Sequence, residues 1–150
     1  MAELTNKIVL MEFKTTLILL TLTIFFNFAY SQDKKHTIDI ELEHCLSLDS
    51  NMTTSDMMNC AIITRDAWEK EMNKYFELLL SILTSEQQNQ LNLSQQKWIE
   101  FKEEEFELSN KIYNEIEGTM WRLVAIDNQS NIFKKRAIEL ISYYENLTFE

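Results

Sequence analysis

Residues Asn59–Leu83 read NCAIITRDAWEKEMNKYFELLLSIL, and this stretch decides the fold. Trp68, Met72, Tyr75, Leu79 and Ile82 follow one another at steps of 4, 3, 4 and 3. An α-helix turns about 100° per residue, so these five large apolar groups share one stripe. Glu69, Lys70, Glu71, Asn73 and Lys74 point elsewhere. A rod with one dry side needs more chain to cover it, and the downstream sequence has the pattern to do so.

Composition closes off the alternative. The chain has no proline and one glycine, Gly118. Sheets need turn chemistry at every reversal, and almost none is on offer here. With 150 residues and 45% hydrophobic content, the chain has the length of a single domain and enough apolar material for a core. The expected fold is all-α, an antiparallel bundle of three long helices preceded by a short helix.

Working outward, Thr54 or Ser55 is the expected N-cap of the first long helix, with Asp56 favouring its positive end. Thr84-Ser85-Glu86-Gln87 then supplies a capping box for the second. Its expected apolar stripe is Leu91, Trp98, Phe101, Leu108, Ile112 and Ile116, with Glu103, Glu104, Glu105 and Glu107 mostly on the exposed face. Gly118 is the natural stop. A third helical stretch starts near Thr119 or Met120 and pauses at the loop-like run Asp127-Asn-Gln-Ser-Asn131. It resumes with Phe133, Ala137, Leu140, Ile141, Tyr144 and Leu147 on one face. Trp68, Trp98 and Trp121, one on each segment, read as core residues, with Glu69, Asn73 and Gln95 beside them.

Toward the N-terminus, Ile38–Leu48 forms a short helix and residues 49–54 (DSNMTT) a loop. Residues 15–28 are the long uncharged apolar run, preceded by Lys14 and followed by Ala29-Tyr30-Ser31. About 14 residues suits a signal-peptide core and falls short of the ~20 of a membrane span. Residues 1–31 are therefore expected to be a signal peptide cut after Ser31 or Ala29, a retained anchor being the alternative. Met11-Glu-Phe-Lys makes a signal start in its own right, so 1–10 reads as a misassigned extension. The mature domain is then 32–150, an exported protein led by the polar run Asp33–Thr37.

The formal charge of −10 excludes one class of partner. A surface this acidic is repelled by phosphate backbones, and the basic residues form no stripe, so nucleic acid is not expected. Cys45 and Cys60 are the only cysteines. In an exported chain, an even pair 15 residues apart reads as a disulfide stapling the short helix to the long one. His36 and His44 lie near Glu41, Glu43 and Cys45, but no metal-ligand spacing such as H-E-x-x-H appears, and they read as exposed residues without a metal. One glycine cannot build a nucleophile elbow or a phosphate-cradling loop, so no enzyme and no cofactor are expected. Asn51, Asn92, Asn128 and Asn146 head N-x-S/T triplets, which read as chance matches in an Asn- and Thr-rich chain.

Several of these residues together resemble a known family. Met58-Asn-Cys60, then Glu69, Met72, Asn73 and Tyr75, then Leu91, Ser94, Gln95 and Trp98 are similar to the pattern of the family named after the lysozyme inhibitor LprI. Glu117-Gly118-Thr119 resembles its glycine-rich turn, and Arg136-Ala-Ile-Glu-Leu140 its C-terminal Arg and Leu. The resemblance covers about residues 38–147. Phe106 stands where many relatives carry a further cysteine, and no lipidation cysteine follows the apolar run. The resemblance implies an exported helical binding protein in a bacterial envelope, with a cationic lysozyme as candidate partner. The rival expectation is an envelope interaction or assembly module without effect on lysozyme. The exposed segments 49–54 and 127–131 are the sequence's candidates for occluding a substrate cleft.

Overall fold

The computed structural model describes residues 35–51 and 53–149. The expected signal peptide, 1–31, lies outside the described residues. Helix α1 spans Thr37–Ser47, a 3-10 turn spans Asp49–Asn51, and three long helices follow: α2 Thr54–Ile82, α3 Ser85–Asn114 and α4 Met120–Thr148. Among the described residues there is no strand.

Local chemistry sets each boundary. His36 is the N-cap of α1, its Nδ1 accepting the Ile38 N–H at 3.3 Å. Its ring also packs on Trp68, 4.5 Å between centroids, so this half-buried histidine belongs to the fold rather than to a frayed, exposed lead-in. The α2 cap is Thr53 in place of the expected Thr54 or Ser55, because its Oγ1 accepts the Asp56 N–H at 3.2 Å. Between α2 and α3 the capping box forms as expected. Thr84 Oγ1 accepts the Gln87 N–H, and Gln87 Oε1 accepts the Thr84 N–H at 3.0 Å. Gln88 reaches back to donate to the Leu80 and Leu83 carbonyls, which the end of α2 leaves without helical partners. Gly118 sits at φ +108°, where a side chain is strained, and it ends the α3–α4 turn.

The expected pause in the last helix is absent. Helix α4 runs unbroken through Asp127–Asn131. Gln129 and Ser130 are buried there, and Gln129 accepts from Arg65 and donates to Asn110. Tertiary burial overrides the loop-like composition.

Helices α2 and α4 are the closest pair and run in the same direction: Arg65 meets Gln129, and Tyr75 meets Tyr144 edge to face. Helix α3 lies antiparallel along α4, with Gln95 at Arg136, Phe106 at Phe133 and Asn110 at Gln129. The core is Trp68, Met72 and Leu79 of α2, Leu91 of α3, Phe133, Ala137 and Leu140 of α4, and Ile38 of α1. Helix α1 crosses this assembly, tied by the Cys45–Cys60 disulfide and by Lys134, whose ammonium holds both oxygens of Asp39 at 2.7–2.8 Å.

The expected apolar stripe of α3 holds only in its first half. Leu91 is buried and Trp98 half-buried against Phe133, but Phe101, Leu108, Ile112 and Ile116 are exposed. The row that faces the bundle is Leu91, Gln95, Trp98, Lys102, Phe106, Ser109 and Tyr113. Two of its members are polar for a physical reason: Gln95 meets a buried arginine, and Lys102 lays its ammonium over the Phe106 and Phe133 rings.

Candidate functional site

The residues singled out in the sequence divide into a buried cross-link and scattered supports. Arg136, 5% exposed, donates from Nε to Gln95 Oε1 at 3.0 Å, from Nη1 to Glu139 Oε2 at 2.6 Å and from Nη2 to Ser94 Oγ at 3.2 Å. Gln95 in turn points its amide at the Met72 sulfur, 3.7 Å away. One guanidinium therefore links α4 to α3, and Gln95 carries the link to α2. Glu139 also accepts from the Tyr143 hydroxyl at 3.2 Å. The charge of Glu139 raises the Tyr143 phenol pKa above its ordinary value, with that hydrogen bond as the next cause. Glu69 is half-buried and Asn73 exposed on α2, and neither takes part in this cluster. Tyr75 is half-buried against Tyr144, Trp98 packs on Phe133, and Gly118 makes the turn. Arg136, Gln95, Tyr75 and Trp98 make contacts between helices, and Glu69 and Asn73 stand apart from them. Among the described residues, no group of three or more His, Cys, Asp or Glu side chains is placed to hold a metal ion.

Trp121, expected in the core, is exposed and stacks on Tyr113 with ring centroids 5.8 Å apart and planes 12° from parallel. It marks a surface that periodicity alone misplaced. Phe101, Leu108 and Ile112 are 52%, 50% and 49% exposed and recur at steps of 7 and 4, one row along the outside of α3. Beside that row, a groove of about 310 Å³ runs between α3 and α4. Glu105, Leu108, Ser109 and Ile112 line it from α3, and Asn128, Asn131 and Lys135 from α4. The Ser109 hydroxyl is buried in its lining without a hydrogen-bond partner. The 127–131 segment thus contributes as a helix wall of this groove, in place of the protruding loop expected of it.

Beyond the row lies acid. Glu100, Glu103, Glu104 and Glu107 are exposed on the next faces of α3. Across residues 97–117, seven carboxylates stand against Lys97, Lys102 and Lys111, a net of −4. The sequence pattern alone had assigned Phe101, Leu108 and Ile112 to the core. Their exposure depends on which of two adjoining apolar arcs meets α4, and only packing decides that.

The comparisons agree with this architecture. The solved structure of an uncharacterized protein from Burkholderia thailandensis superposes with a TM-score of 0.72 at 20% identity, over 76% of this chain and 56% of that one. That likeness concerns the fold, and the chain spans little more than half of that protein's length. No curated protein sequence matches the chain. The family model described as "Lysozyme inhibitor LprI" matches residues 45–140, from the first disulfide cysteine to the last core leucine of α4, and the chain belongs to that family.

Proposed function

We propose that this protein is an exported inhibitor of lysozyme-type glycosidases, acting as a folded binding protein without cofactor or catalytic step. The family match over residues 45–140 carries this reading. Two physical features support it. The Cys45–Cys60 disulfide suits an oxidising compartment outside the cytoplasm. The −10 charge draws a strongly cationic enzyme into encounter, with an on-rate that falls as salt rises.

Charge alone does not inhibit. At ~0.15 M salt the Debye length is about 8 Å, so loose pairing between exposed charges is largely screened. A cleft inhibitor keeps a short-range, desolvated contact that survives those conditions. The test is cell-wall hydrolysis by a cationic lysozyme at physiological salt, with an unrelated acidic helical protein of similar charge as control. Slowed hydrolysis that the control does not reproduce is the expected outcome. Equal effects of the two proteins, or none at that salt, would leave an envelope interaction module without action on lysozyme.

A further inference from the structure

We infer that the outer row of α3, Phe101, Leu108 and Ile112, together with the adjoining α3–α4 groove, is the surface on which a cationic protein partner docks; the inference rests on the inhibitor reading and locates its contact. Three observations converge on α3. Its exposed row is apolar, while the row it turns to the bundle includes Gln95 and Lys102. Half-exposed large apolar groups are ordinary when scattered, but these three share one helical row beside a groove, with Glu104 and Glu105 on the turn between Phe101 and Leu108. The groove floor holds the Ser109 hydroxyl, buried and without a partner, which a polar side chain entering the groove would satisfy.

Charge selects the occupant. Glu104 adjoins the row and Glu100, Glu103 and Glu107 lie on the faces beyond it; Lys97 pairs with Glu100 and Lys111 with Glu107, and residues 97–117 keep a net charge of −4. A second copy docking on the same row sets these borders face to face and adds repulsion. A cationic surface relieves it. An apolar strip flanked by like charge is the arrangement in which burial holds the complex and the border speeds and orients encounter.

The experiment compares the full mature protein with three variants, measuring affinity for a cationic lysozyme at ~0.15 M salt alongside helicity and thermal midpoint. Leu108→Gln/Ile112→Gln replaces the row with good helix formers, so the helix is kept while the patch is lost. It is expected to weaken binding at least ~30-fold, the scale of losing a hot spot. Glu103→Gln/Glu104→Gln is expected to slow association and flatten its salt dependence. Ile63→Gln, at a position 66% exposed on α2, is the control and leaves binding at the wild-type level. If Leu108→Gln/Ile112→Gln unfolds, Phe101→Gln repeats the test on the same row. A folded row variant with wild-type affinity overturns the surface and leaves the inhibitor reading standing. A wild-type protein that neither binds nor inhibits lysozyme overturns both. A wild-type dimer that the row variant dissociates assigns the patch to a second copy and overturns the cationic partner.

Discussion

Arg136 shows how one residue can tie two helices, with Gln95 passing the link to a third. Its guanidinium is buried, and its hydrogen bonds run to Gln95, Glu139 and Ser94 in three directions. Arg136→Ala leaves the Gln95 carbonyl and the Ser94 hydroxyl without their charged partner. Hydrogen bonds to charged groups contribute about 1.5–3 kcal/mol. The expected loss is about 1.5–3 kcal/mol, read from the urea midpoint, because water replaces Arg136 at the exposed Glu139 and Ser94 while buried Gln95 loses its donor. Arg136→Lys should recover only part of it, because a point-like ammonium cannot reproduce the planar fork. Tyr143 gives a pH signature for the same cluster. The Glu139 carboxylate opposes phenolate formation, so the folded pKa lies above the unfolded one. The resulting stability is fully present below the unfolded value of about 10 and is lost as pH rises through the folded value. In ultraviolet titration, Glu139→Gln should lower the pH at which the Tyr143 phenol ionises, Tyr143→Phe serving to assign its signal.

At the scale of the element, the helices differ in how hard they are to remove from the core. Trp68 is fully buried, whereas Trp98 is half-buried. Trp68→Ala should cost about 3–5 kcal/mol and Trp98→Ala distinctly less, by chemical denaturation of the two variants side by side. Changing both Cys45 and Cys60 to serine should cost about 3 kcal/mol on the chain-entropy model, with the helical circular-dichroism signal largely kept. Where local chemistry decides, the sequence was readable. The Thr84–Gln87 capping box and the Cys45–Cys60 staple stand where residue type demands them, whereas α3 ends at Asn114 with Glu115 as C-cap and Gly118 serves the turn beyond it. Where packing decides, it was not. The Asp127–Asn131 run has a loop's composition, yet buried Gln129 and Ser130 give its polar groups an interior to occupy. Helix α3 carries two adjoining apolar arcs, and choosing the inner one needs Arg136 in place to explain why Gln95 is buried. The place of His36 is illegible in the sequence for a similar reason, since its burial depends on a tryptophan 32 residues away. Trp121 has its ring partner in Tyr113 across the turn, so it needs no core.

Across the whole molecule, the first and last long helices share the core while the middle one lies along its side. A chain ended at Glu117 lacks Phe133, Arg136, Ala137 and Leu140, and the Trp68–Met72–Leu79 stripe has nothing to face. Such a truncation should lose the cooperative thermal transition, even though it keeps the disulfide and two of the three long helices. A transition as sharp as that of the full domain would show that α2 and α3 suffice.

The disulfide and the core therefore belong to different moments in the life of the chain. Cys45 and Cys60 are 15 residues apart, whereas the hydrogen bond from Arg65 to Gln129 spans 64. Under the export proposed above, a chain threading out N-terminus first would bring its two thiols within reach of an oxidant well before α4 had emerged. Oxidation then needs no folded core. The species it produces carries a closed loop and a bare tryptophan stripe, and it persists until the final thirty or so residues arrive. Non-local contacts form late, and uncovered apolar faces are what proteases and aggregation act on. Under that proposal, the window of vulnerability is set by how fast the C-terminal helix follows, and sulfur chemistry does nothing to shorten it.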